Sequence, residues 1–439
     1  MPEIESSNEP NKEERKKEEP NKEAVTPRTM HGEIVLFAKQ IDALAETLPM
    51  ATLAIQGAHD SSRQQLVKFL ADECKVVRSG DKVTYAFEGG QYLRFQKLMG
   101  RVQKTELAQQ LVPSGLLVSL VSQFDAYLGG LIRQLFRIKP EILNSSANTL
   151  TYSQLVEFGS IENAREYVVA KEVESVLRKS HGEQFDWLEN KIGLPLRKDL
   201  NAWPVFVEVT ERRNLFVHSG GAVSHQYLEV CKRNLCSIGA DLCPGKSLSV
   251  TREYFAAAHD CLFEIGVKLA QVLWRKLQPD DLERADASLN SVIYDLLVEG
   301  RYRLARVLSD FGTETLKKHA KEESLLILVL NRAQAYKWSG DEETARKIVN
   351  AEDWGAKALR FKMVQSVLLD DFKAAIDIMK QIGADGDINK HFYREWPVFK
   401  EIRKSQEFAV AFEEIFGEPL NLITVPREDT QGPGKQTIN

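Results

Sequence analysis

Arg213, Asn214 and His218 place within one short segment the side chains that a metal-free cleavage of a phosphodiester needs. A histidine exchanges a proton near neutral pH, so it can act as general acid or general base. An arginine can hold a phosphate through two parallel N–H groups while negative charge builds on it. Asn214 lies one helical turn before His218, on the same face, where its amide can orient the imidazole. These three residues form the candidate catalytic set.

Such a set suits RNA as the substrate. Without a metal, the nucleophile is the substrate's own 2′-hydroxyl, which DNA lacks. A base removes its proton and an acid protonates the leaving 5′-oxygen, so the expected products end in a 2′,3′-cyclic phosphate and a 5′-hydroxyl. Arg213 lies five residues before His218, about 140° around an ideal helix. A single copy of the motif therefore aims its two main groups poorly at one phosphate.

The segment ends a predicted helix that spans residues 202–218. Apolar residues alternate with charged ones along it: Val205, Val207, Val209, Leu215 and Val217. Gly220 and Gly221 follow, and glycine is the residue that most readily ends a helix. We interpret Ser219 as part of this helix end and His225 as a structural residue.

The Arg213-Asn214-x-x-x-His218 pattern resembles the R-x(4–6)-H motif of HEPN domains, the all-helical fold of many prokaryotic RNases in toxin, CRISPR and antiphage systems. The resemblance extends over roughly residues 110–278. It implies a helical bundle, a metal-independent endoribonuclease activity and a homodimer. In that dimer two motifs face each other across a two-fold axis, so that the cleft holds two histidines and two arginines.

The resemblance also implies supporting residues around the cleft. HEPN domains carry an acidic residue that faces the motif from their first long helix, and Asp125, in the apolar segment 116–133, would fill that place. Asp125 could instead pair with Arg133 or with another surface charge. Three residues could pair around the cleft and fix its geometry: Arg212, Glu211 and Asp125.

The chain as a whole is predicted to be mainly α. Its N-terminal unit is expected to be small and mixed, with helices over residues 34–48 and 60–74 and a hairpin over residues 75–87. That unit is interpreted as a packing accessory, with a sensor or specificity module as the alternative. The predicted division is a disordered tail at 1–28, the mixed unit at 29–109, the HEPN-like bundle at 110–278, helical repeats at 279–420 and a disordered tail at 421–439.

The predicted repeats carry one local pattern three times. A glycine, or in the last copy an aspartate, precedes an alanine by five residues: Gly300 and Ala305, Gly340 and Ala345, Asp370 and Ala375. The first residue would turn the chain and the alanine would let two helices approach closely. With Tyr336 as the matching aromatic, the pattern resembles tetratricopeptide (TPR) repeats, although its alanines are 40 and 30 residues apart instead of a uniform 34. We expect a short solenoid of helix pairs, capped by a helix over residues 398–416.

Composition excludes several classes of function. Of the 439 residues, 43% are hydrophobic and 28% charged, which is typical of a protein with a well-formed core. We find no apolar run of the roughly 18–20 residues that span a bilayer and no secretory signal, so a cytoplasmic protein without a membrane partner is expected. The net charge of -5 argues against coating of nucleic acid but allows a local basic cleft.

Neither a metal nor a cofactor is expected. The cysteines lack C-x-x-C spacing and are interpreted as reduced thiols: Cys74, Cys231, Cys236, Cys243 and Cys261. We treat several histidines outside the motif as forming no cluster: His59, His181, His259, His319 and His391. A P-loop, a Rossmann glycine pattern and an H-E-x-x-H motif are all missing from the sequence.

Two classes of function remain at this stage. The first is a regulated RNase, of toxin or abortive-infection antiphage type, with the repeats as the surface for a regulatory protein or trigger. The second is a non-catalytic scaffold that dimerises through the bundle and binds a partner protein or RNA. The intact Arg213, Asn214 and His218 pattern favours the first.

Overall fold

The computed structural model describes residues 29–79, 82–145, 149–198 and 200–421. Within them the protein is mainly helical, as predicted, with 16 α-helices and one two-stranded antiparallel hairpin. The predicted N-terminal tail, and all but the first residue of the predicted C-terminal tail, lie outside the described residues.

Two long antiparallel helices begin the described chain. α1 (Met30–Asp72) leads into strands β1 (Lys75–Ser79) and β2 (Lys82–Ala86), and α2 (Gln91–Ile138) returns alongside α1. The hairpin prediction is confirmed, but the two separate helices expected before it are one helix that runs through Pro49. Packing against α2 along its length stabilises α1 enough to outweigh the backbone hydrogen bond that a proline removes.

α2 also begins earlier than expected, so the predicted boundary between residues 109 and 110 falls inside a helix. From α1, the side chains of Ile34, Phe37 and Ile41 belong to the same hydrophobic core as the second half of α2. The Phe37 ring stacks on Tyr127 with centroids 4.3 Å apart. The first turns of α1 are therefore part of the bundle core, and the distal parts of α1 and α2 extend from it as a helical hairpin.

Six further helices complete the bundle: α3 Tyr152–Phe158, α4 Ile161–Leu177, α5 His181–Ile192, α6 Trp203–Ser219, α7 His225–Arg233 and α8 Arg252–Leu277. Five of them begin after a serine or threonine whose side chain accepts a backbone N–H of the first turn: Thr151, Ser160, Ser180, Ser224 and Thr251. Such caps satisfy N–H groups that have no partner within the helix. The sequence thus sets where these helices start.

Eight helices follow the bundle: α9 Leu282–Val298, α10 Tyr302–Asp310, α11 Glu322–Trp338, α12 Glu342–Asn350, α13 Leu359–Leu368, α14 Phe372–Ile382, α15 Lys390–Glu395 and α16 Gln406–Phe416. The first six form consecutive pairs joined by turns at Gly300, Gly340 and Asp370, which all have positive φ. The three alanines of the predicted pattern are buried: Ala305, Ala345 and Ala375. The turn-and-alanine pattern therefore predicts these helix pairs correctly.

Two details of this region differ from expectation. The helix predicted over residues 398–416 is replaced by two 3₁₀ turns, Pro397–Phe399 and Ile402–Lys404, followed by α16. The reason is a helix start that the pattern did not reveal: Ser405 caps α16 by accepting the N–H of Phe408. In addition, side chains of α9 and α10 belong to the hydrophobic core of the bundle, and a second hydrophobic core begins with α11.

Within the described residues one helix, α2, is long and apolar enough to cross a membrane by length and composition, which differs from the expectation that no such run exists; half of its apolar window is buried inside the protein.

Candidate active site

The C-terminal half of α6 carries the candidate motif. The helix ends as predicted, with Gly220 in the left-handed conformation and the N–H of Gly221 donating to the carbonyl of Leu215 over 3.0 Å. A Cβ on Gly221 would lie 2.8 Å from the ring of Phe216, so this position requires glycine for its φ of +86° and for space. Ser219 Oγ donates to the carbonyl of Leu215, 3.1 Å away, which agrees with its interpretation as part of the helix end.

Arg213 faces α2 and pairs with Asp125. Its Nη2 donates to Asp125 Oδ2 over 2.9 Å, and the two side chains are 19% and 26% exposed. Arg213 Nε is fully buried and has no hydrogen-bond partner. The carboxylate thus fixes one edge of the guanidinium at the wall of the site.

His181 is the residue that sequence reasoning missed. It is the first residue of α5, and its Nε2 lies 2.8 Å from Asp125 Oδ1. Asp125 therefore joins two side chains of the site, with one oxygen for His181 and the other for Arg213. The histidine side chain is 8% exposed and packs edge-on against the ring of Phe206, with centroids 5.5 Å apart.

One local signal places His181 at a helix start. Ser180 and Glu183 form a capping box, in which each side chain accepts the other's backbone N–H. An S-x-x-E pattern before an apolar stretch is readable in sequence and marks the first turn of α5. Its position opposite Asp125, 56 residues away in the chain, depends on how α5 packs against α2.

The motif and these residues line one cavity of about 550 Å³. That volume lies within the roughly 300–1,000 Å³ typical of small-molecule sites. The chemically relevant lining residues are Asp125, His181, Glu211, Arg213, Asn214 and His218. Arg178 and Lys179, at the end of α4, add positive charge to the rim. Arg213 and His218 thus open on the same cavity, although 140° separates them on an ideal helix.

The two remaining motif residues, His218 and Asn214, have different surroundings. His218 is exposed on the last turn of α6 and lines the cavity. The amide of Asn214 donates to the carboxylate of Glu211, three residues earlier on α6. Burial raises the pKa of Glu211, and the nearby His181 and Arg213 offset only part of that rise. Glu211 therefore carries its negative charge less readily than an exposed glutamate.

Arg212 lies outside this cavity. Its Nε donates to Glu208 over 2.7 Å, its guanidinium stacks 3.8 Å from the ring centre of Tyr254, and its Nη1 donates to the carbonyl of Ser249. Glu208 also accepts the hydroxyls of Tyr227 and Tyr254, both over 2.6 Å. This network ties α6 to α7 and α8, so Arg212 supports the site by holding its helix.

No group of three or more histidine, cysteine or acidic side chains in the described ranges has the arrangement of a metal site. The cysteines are free thiols, of which Cys74, Cys231 and Cys261 are buried. No family model, curated protein or solved structure matches the chain. The chemistry of the cavity is therefore argued from its own residues.

Proposed function

We propose that this protein is a metal-independent endoribonuclease that cleaves RNA by attack of the 2′-hydroxyl. The observation that carries the proposal is the convergence of His218 and Arg213, with Arg213 held by Asp125, on a cavity of nucleotide size. The cavity offers a proton-exchanging ring and a fixed guanidinium, which are two of the groups that this reaction uses.

In this proposal each residue has a defined task. His218, exposed at the end of α6, exchanges a proton with the substrate. Arg213 holds the phosphate, because its guanidinium lines the cavity while Asp125 fixes one edge. Asn214 and Glu211 form a hydrogen-bonded pair beside them. The raised pKa of Glu211 suits this place, since a carboxyl that ionises less readily repels a phosphate less.

The bundle and the helix pairs supply the rest of the proposal. We assign the bundle to the HEPN-like class, acting as a cytoplasmic homodimer, and the paired helices to a TPR-like solenoid. An uncontrolled RNase would damage its own cell, so the solenoid is proposed to bind a regulatory protein or trigger. We therefore propose that the protein acts as a toxin or abortive-infection antiphage effector. The turn geometry at Gly300 and Gly340 and the buried alanines support the solenoid assignment.

The test is an RNA cleavage assay in EDTA, with end-group analysis of the products. The wild type should cut and leave 2′,3′-cyclic phosphate ends. His218→Ala should lose about 10²–10⁴-fold in rate, the range that a general acid or base contributes. His225→Ala is the matched control, because it is an exposed histidine at the start of α7 outside the cavity lining. It should cut at the wild-type rate.

The alternative, a scaffold that binds a partner protein or RNA without cutting, makes the opposite prediction. Wild type, His218→Ala and His225→Ala would then all leave varied RNAs intact in EDTA. Expression in cells also distinguishes the two functions. The toxicity of an RNase, or the protection it gives, depends on His218, whereas the effect of a scaffold is the same with and without it.

A further inference from the structure

The reaction proposed above needs two proton transfers, and His218 can perform only one of them in a given step. A base must take the proton of the 2′-hydroxyl, and an acid must protonate the leaving 5′-oxygen. His181 is the second imidazole that lines the same cavity. Its position means that one protomer contains two imidazoles that could perform the two proton transfers.

The hydrogen bonds of His181 leave one ring nitrogen for a substrate. Nε2 lies 2.8 Å from Asp125 Oδ1, an acceptor, which fixes the proton of the ring on Nε2 in its neutral form. Nδ1 has no hydrogen-bond partner among the described residues and is not fully buried. The ring is held by Phe206, at an interplanar angle of 86°, and by Phe124. The fixed ring thus presents one free nitrogen, Nδ1, through which it can exchange a proton with a substrate.

The two histidines differ in their surroundings. Asp125 accepts from Nε2 of His181, so a carboxylate lies directly beside that ring and can balance the positive charge of a proton-donating imidazole. Arg213 binds the other oxygen of the same carboxylate. His218 is exposed at the end of α6 and forms no ion pair with a carboxylate of the described residues.

We propose that His181 is the general acid of the ribonuclease reaction and His218 the general base, so that each protomer carries a complete site. His218 takes the proton of the 2′-hydroxyl, and the oxygen attacks phosphorus and forms the 2′,3′-cyclic phosphate. The bond from phosphorus to the 5′-oxygen breaks, its electron pair stays on that oxygen, and the proton on Nδ1 of His181 neutralises it. Arg213 holds the phosphate charge throughout. The inference rests on the proposed function.

The experiment compares His181→Gln with the wild type on two substrates that differ only in the leaving atom. Glutamine can still donate a hydrogen bond to Asp125, but it cannot transfer a proton. The first substrate is an RNA oligonucleotide around a mapped cleavage site. The second carries sulfur in place of the bridging 5′-oxygen at that site, and a thiolate leaves without protonation.

His259→Gln is the matched control. His259 Nε2 also lies 2.8 Å from an aspartate, Asp42, which in turn accepts from Arg301 over 2.9 Å. This second group also joins a histidine and an arginine through one aspartate, although both contact the same oxygen of Asp42, and it lies outside the cavity lining. A purely structural effect of changing such a histidine would appear equally in both variants.

We expect His181→Gln to cleave the oxygen substrate at least about 100-fold more slowly than wild type and the sulfur substrate within a few-fold of it. His218→Ala should stay slow on both substrates, because its step precedes bond breaking. Normal cleavage of the oxygen substrate by His181→Gln would overturn the inference and leave the RNase proposal standing, as would an equal loss on both substrates. If the wild type cuts neither substrate, the proposed function fails and the inference with it.

Discussion

Asp125→Asn tests the contact on which the whole site depends. The aspartate accepts Arg213 Nη2 on one oxygen and His181 Nε2 on the other. Asparagine keeps one oxygen and replaces the other with an NH₂ group. That group would point a donor at Arg213, or it would face His181 Nε2, which can accept it only if the ring moves its proton to Nδ1. The substitution therefore perturbs one of the two contacts and removes the counter-charge of a largely buried guanidinium.

The expected loss follows from the burial of the pair. Removing one partner of a fully buried ion pair costs about 3–5 kcal/mol, because the remaining charge is left uncompensated. Asp125 and Arg213 are 26% and 19% exposed, so water can replace part of the lost interaction. We therefore expect the free energy of unfolding to fall by about 2 kcal/mol.

The assay is urea unfolding followed by circular dichroism, with the dependence on urea unchanged between variants. Asp241→Asn is the control, since Asp241 pairs with Lys246 at the surface and is 79% exposed. It should unfold like the wild type. In a double-mutant cycle, Asp125→Asn combined with Arg213→Met should lose less stability than the two single changes added, because no unpaired charge remains.

One result would refute this reasoning. If Asp125→Asn unfolds at the same urea concentration as Asp241→Asn, the carboxylate does not hold Arg213 in solution. The guanidinium would then be free to leave the cavity wall, and the proposed phosphate clamp would lose its support.

Three further predictions concern stability. Glu211→Gln should raise the free energy of unfolding at pH 7 and leave it unchanged near pH 4, because the raised pKa of Glu211 means that folding disfavours its charged form. Urea unfolding at both pH values checks this. A lower free energy of unfolding at pH 7 would contradict it. Burial lowers the pKa of His259, but hydrogen bonds to two aspartates outweigh it and raise the pKa overall. The stabilisation from His259 is then complete below about pH 6.5 and disappears as the pH rises through the raised pKa, so the deficit of His259→Gln should shrink from pH 6 to pH 8.5. Gly221→Ala should lower the midpoint temperature of thermal unfolding by several degrees, which corresponds to about 1–3 kcal/mol. Alanine is strained at this φ, and its Cβ collides with Phe216. An unchanged midpoint would show that the helix end relaxes.

The helices and their ends were largely predictable. Glycine and capping residues set the helix boundaries through local geometry, as at Gly220 and Ser180. The repeat pattern located the helix pairs because a turn residue and a buried alanine are both local requirements. The long α1 was not predicted, because Pro49 and Gly57 interrupt the helical pattern between its two halves, whereas packing against α2 stabilises that segment as helix.

The site was predicted in part, and the missing part is non-local. Arg213 and His218 were visible because they lie on one helix, and Asp125 was suggested by a resemblance. His181 was not predicted as a site residue, because no neighbouring position in the sequence offers it a partner. The interaction between Asn214 and Glu211 was also unforeseen, since three-residue spacing on a helix allows that contact as readily as the one expected with His218.

The sequence by itself determined the helical class, the helix ends, the turn pattern and the chemical groups on α6, since each depends on residues within a few positions of one another. The tertiary structure decided which of those groups meet. Asp125 on α2 lies between His181 on α5 and Arg213 on α6 only because the three helices pack around one core of aromatic side chains. Distances between separate helices depend on how side chains fill that core, and no local pattern encodes them.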